Sequence, residues 1–60
     1  MLVIESKMIM SEGVFKTIHV PIDMEISKKS PTKKEMAMII DKVEEKEGLK
    51  VQEIINVIKV

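Results

Sequence analysis

A chain of 60 residues with no cysteine has to hold itself together without a covalent staple. Disulfides and thiolate metal sites are excluded, and the single histidine, His19, cannot by itself furnish a structural zinc site. A domain of this length buries only about 60% of the surface its unfolded chain exposes, so its core is small. Association with another subunit is the remaining route to a sufficient interior. An apolar fraction of 45% is generous for so little interior and points the same way, and with a net charge of zero it argues against disorder. The expectation is one domain, residues 1–60, that works as a homo-oligomer, a dimer first of all.

Residues 2–10 and 14–22 read as a β-hairpin around Ser11-Glu12-Gly13, where the glycine supplies the positive φ that a short hairpin loop needs. In the second segment Val14, Ile18, Val20 and Ile22 share a face, with Lys16 the one violation. In the first, Leu2, Ile4, Met8 and Met10 form the inner face and leave Val3 and Ile9 on the other. Pro21 has no N–H to give a ladder, so its strand lies at an edge or ends there.

Residues 23–31, DMEISKKSP, form a polar connection, after which helix signals accumulate. Ser30-Pro31 can serve as N-cap and first helical residue, and Thr32-Lys33-Lys34-Glu35 fits a capping box. Met36, Ile39, Ile40 and Val43 follow as a core-facing stripe, and Gly48 is a natural helix terminator with Leu49 placed for the accompanying contact. A helix over about 32–47 is predicted. The tail is ambiguous. Val51, Ile54, Ile55 and Ile58 have helical spacing, yet six of the last ten residues are β-branched and no good N-cap precedes them.

A third strand is the reading adopted for residues 50–60, with a short helix as the alternative. The fold expected is α+β: a small antiparallel sheet covered by one helix, ββαβ, in strand order 2-1-3. The helix takes one face. The other exposes Val3, Ile9 and Phe15, with Val51, Ile55 and Val57 as further candidates, and so apolar a face invites a second subunit. The alternative fold is ββαα. In that reading Phe15-Lys16-Thr17-Ile18-His19-Val20-Pro21-Ile22, a helix, then Glu47-Gly48-Leu49 and an amphipathic end resemble the ribbon-helix-helix DNA-binding dimers. The resemblance implies a strand that pairs with its dimer mate in the major groove, with Lys16, Thr17 and His19 facing the bases.

All ten basic residues are lysines, and Lys28, Lys29, Lys33 and Lys34 crowd around the helix start while Asp41, Glu44, Glu45 and Glu47 lie toward its end. The helix dipole favours the opposite layout, by about 0.3–1 kcal/mol per charge. The segment Lys28–Lys34 is therefore the best candidate for contact with an anionic partner, another protein or a nucleic acid, against a plain solvated loop. It also resembles the serine–proline–basic elements of histone-type tails. Arginine, the usual reader of guanine edges, is missing.

Other constellations have bland readings that outweigh the chemical ones. His19 with Asp23 and scattered serines lacks a nucleophile elbow or oxyanion loop, and a surface or interface histidine is expected. The six methionines, Met8, Met10, Met36 and Met38 among them, read as adaptable apolar filler rather than copper ligands. The acidic helix residues are interleaved with Lys42 and Lys46 and read as solvated surface rather than a divalent-metal site. No enzyme and no cofactor is expected. No apolar run approaches the roughly 20 residues of a membrane span. The start, MLVIESKMIM, lacks a basic leader and a long apolar stretch, so cytoplasmic residence without membrane association is expected. The function expected is a small non-catalytic interaction or regulatory module, with a nucleic-acid-binding regulator as the alternative.

Overall fold

Alternation of side chains over the first 22 residues produces the hairpin that their pattern requires. In the computed structural model, which describes residues 1–60, strand β1 is Leu2–Ser11 and strand β2 is Val14–Ile22. They pair antiparallel across Glu12–Gly13, with Gly13 at φ 75°, a left-handed value that suits a residue without Cβ. Leu2, Ile4, Ser6 and Met8 are buried on one face, and Val3, Glu5, Lys7 and Ile9 are half-buried on the other. Met10 does not join the inner face. It is 45% exposed, because it is the extra residue where the register steps from Ile9↔Phe15 to Ser11↔Val14.

Helix α1, Lys33–Glu47, starts where its capping box predicts. Thr32 is the N-cap: the Glu35 backbone N–H donates to Thr32 Oγ1 at 3.1 Å, and the Thr32 N–H donates to Glu35 Oε1 at 2.9 Å. Gly48, at φ 70°, ends the helix and donates its N–H to the Glu44 carbonyl. Of the predicted stripe, Ile39 and Val43 are fully buried, while Met36 and Ile40 are half-buried.

The tail is strand β3, Lys50–Lys59, paired antiparallel to β1 in the order β2-β1-β3. The fold is ββαβ. There is no second helix, so the ββαα alternative and its likeness to ribbon-helix-helix dimers are overturned: the ribbon of that family is followed by two helices, and here a strand closes the sheet. Two bulges explain the helix-like spacing of the tail. Opposite β1 the register runs Met8↔Val51, Lys7↔Glu53, Ser6↔Ile54, Glu5↔Asn56 and Ile4↔Val57, leaving Gln52 and Ile55 as inserted residues. The inward residues therefore recur at 51, 54 and 57, a spacing of three in place of two.

Val51, Ile54 and Val57 pack with Ile18, Met24 and Leu49 around a core of eight buried residues, among them Ile4, Val20, Ile39 and Val43. Ile26 belongs to that core, so the connection over 23–31 is not wholly polar: its one isoleucine anchors it. Two charged side chains also tie the helix to the sheet. Glu44 Oε2 accepts from the Val51 N–H at 2.9 Å, and Lys46 Nζ donates to the Pro21 carbonyl at 2.6 Å. The Met1 amino group hydrogen-bonds Glu25 Oε1 at 2.8 Å, and that bond together with its charge holds the Glu25 carboxyl below the usual carboxylate range. A helix of 15 residues is about 22 Å long. The molecule's long axis is 36 Å, and Met10, Val14 and Phe15 at the hairpin end stay exposed. No helix is long and apolar enough to cross a membrane.

Candidate interaction surface

With the helix on one face, the other face of the sheet carries no covering element. Its composition follows from register. The outward residues of β1 are Val3, Glu5, Lys7 and Ile9. Across β2 they meet Pro21, His19, Thr17 and Phe15, and across β3 they meet Ile58, Asn56, Glu53 and Lys50. This makes four rows of three. An apolar row, Pro21–Val3–Ile58, closes one end. Phe15–Ile9–Lys50 closes the other, with two polar rows between them.

Polar contacts within the face pin its charges. His19 Nε2 lies 3.8 Å from Glu5 Oε2, and the Lys7 ammonium sits 4.9 Å from the centre of the Phe15 ring, within cation–π range. Both Glu5 and Lys7 are half-buried beneath neighbours on the flanking strands.

Of the five residues expected at an oligomer interface, Val3, Ile9 and Phe15 lie together on this face. Val57 does not. It pairs with Ile4 and packs against the core, because the bulge at Ile55 returns it to the helix side; Val51, which precedes the bulge at Gln52, is inward too, paired with the buried Met8. Ile55, 47% exposed, is the inserted residue itself and borders an open groove of about 490 Å³. That groove is lined by Ile54–Val57 of β3, by the loop Lys29-Ser30-Pro31 and by Met36. The outer face also carries Pro21, which shares the alternation of Phe15, Thr17 and His19, and Ile58, which alternation alone could not place while the tail's register was unknown.

The lysine segment surrounds the helix start as its sequence position requires. Lys28 and Lys29 precede the N-cap, and Lys33 and Lys34 are the first two helical residues. All four are exposed, and none lies within 4.0 Å of a carboxylate oxygen; the groups that do are the Met1 amino group, on Glu25, and the His19 imidazole, on Glu5. Lys29 reaches the rim of the groove.

The remaining candidates are separated by the fold. Met8 is buried and its sulfur accepts from the Ser6 hydroxyl, whereas Met10 is exposed, so that pair shares no environment. No three acidic or histidine side chains gather where they could hold a metal ion. No known protein family, characterised protein or solved structure matches this chain.

Proposed function

We propose that this chain is a small non-catalytic interaction module that works as a homo-oligomer through the open face of its sheet. The observation that carries the reading is the contrast between the two faces. One is closed by α1, while the other presents Val3 and Ile9 on the central strand, with Phe15, Pro21 and Ile58 beside them. A core of eight residues is small for an independent domain, and a second subunit on the bare face would enlarge it. Sedimentation tests the reading. Ile9→Lys puts a second charge beside Lys50 in the row Phe15–Ile9–Lys50 and is expected to dissociate the assembly while preserving helix content by circular dichroism. A wild-type chain that stays monomeric at high micromolar concentration overturns it.

A contact with an anionic partner is proposed alongside. Four exposed lysines without carboxylate partners stand at a helix start, where free backbone N–H groups also favour negative charge. Without a ribbon-helix-helix architecture, nucleic acid would be met through these lysines and its phosphates rather than through β2 in a groove.

A further inference from the structure

The outward rows of the sheet carry charge in an order that complements itself in one orientation. Along β1 the outward series is Val3, Glu5, Lys7, Ile9: apolar, negative, positive, apolar. Two copies stacked face to face about a two-fold axis, with their strands aligned and β1 over β1, meet in one of two ways. With the axis parallel to β1, every row meets its own copy, so Glu5 faces Glu5 and Lys7 faces Lys7. With the axis crossing the strands at the level of Ser6, the order is reversed between copies. Glu5 of each copy then faces Lys7 of the other, and Val3 faces Ile9.

The flanking strands agree with the second arrangement. On β2, Pro21 meets Phe15 and His19 meets Thr17; on β3, Asn56 meets Glu53 and Ile58 meets the aliphatic stem of Lys50. No like charges oppose one another at any position. The parallel-axis arrangement places two like-charged pairs at its centre.

We infer that the open face binds a second copy of this chain with the two-fold axis crossing the strands at Ser6, so that two Glu5–Lys7 pairs lie at the middle of the interface. The inference rests on the homo-oligomer reading above and specifies how the copies meet. Glu5 and Lys7 are half-buried within the single chain and already contact His19 and Phe15, so ordering them costs little additional side-chain entropy. Three strands about 4.8 Å apart and four rows deep present a flat area on the order of 400 Å². That is below the roughly 800 Å² per partner of a standard interface, so the association is weak and concentration-dependent.

The experiment is sedimentation equilibrium on the full chain, with circular dichroism to verify folding. Glu5→Lys and Lys7→Glu each create two like-charge contacts and should weaken self-association roughly tenfold or more. An equimolar mixture of the two variants restores opposite charges at both contacts and should associate about as well as wild type. Cysteine scanning reads the orientation, since the natural chain has no thiol. A short thiol-reactive cross-linker should join Val3→Cys to Ile9→Cys in a mixture and should not join Val3→Cys to itself. If Glu5→Lys fails to fold, Lys7→Glu and the cross-linking arms decide. A dimer indifferent to the charge reversals, or one in which Val3→Cys links to itself, overturns this arrangement and leaves the homo-oligomer reading standing. A monomeric wild type overturns both.

Discussion

Thr32 and Glu35 each satisfy a backbone N–H of the other, and this reciprocal pair fixes where the helix begins. Thr32→Ala is expected to cost about 0.5–2 kcal/mol in a denaturant melt, because a first-turn N–H loses its acceptor. Ser30→Ala should cost far less, since Ser30 lies two residues before the cap and its hydroxyl caps nothing. The reverse ranking would move the cap to Ser30. The box was legible because its four residues are contiguous and their spacing encodes the geometry. Isolated residues were not. Ile26 is a lone isoleucine in a polar run and has no periodic neighbours to announce that it is buried. Ser6 has the right phase for the inner face but the wrong polarity, and its full burial is made tolerable by its bond to the Met8 sulfur. Glu44 and Lys46 looked like solvated helix surface. Their side chains are long enough to reach the Val51 N–H and the Pro21 carbonyl, which a helical pattern cannot reveal.

Strand β3 is the element whose pattern misled most, and the bulges give the reason. A regular half-buried strand repeats every two residues, and each inserted residue stretches one repeat to three. Two insertions in ten residues place the inward set at 51, 54 and 57, near the spacing of a helix face. The β-branched content and the missing N-cap were the signals that favoured a strand. A deletion checks this account. Removing Ile55 leaves Ile54 inward, Asn56 outward and Val57 inward, so both faces of the strand are preserved. The variant should fold, with a stability change of about the 1 kcal/mol typical of single substitutions. Removing Ser6 from the unbulged part of β1 instead shifts every later residue of that strand to the opposite face, and should abolish the cooperative melt. An Ile55 deletion as damaging as the Ser6 deletion would mean that Ile55 is not an insertion.

Across the whole molecule, strand order and the helix-covered face were legible from alternation, the crossover rule and the helix signals together. Two thirds of the open face was legible too, because β1 and β2 supply two of its three strands and their outward residues alternate, whereas the share from β3 depended on a register the tail's spacing concealed. The lysine end raises a separate question, which a charge reversal answers. Lys33→Glu with Lys34→Glu replaces cations by anions in the first helical turn and should raise stability by about 0.3–1 kcal/mol per site at low salt. If the segment meets an anionic partner, the same double variant should abolish the salt-sensitive NMR shifts that short duplex DNA induces around residues 28–34 in the wild-type chain. Wild-type spectra without such shifts would exclude nucleic acid as that partner. The bulges of β3 have one more consequence. An apolar, β-branched edge of ten residues would ordinarily be a template for runaway strand addition and fibril growth. Here the edge is broken into Lys50–Val51, Glu53–Ile54 and Asn56–Lys59, and at the opposite edge Pro21 offers no N–H. Each border is thereby shortened as a template for an incoming strand, to segments of two to four residues on β3 and to the stretch before Pro21 on β2.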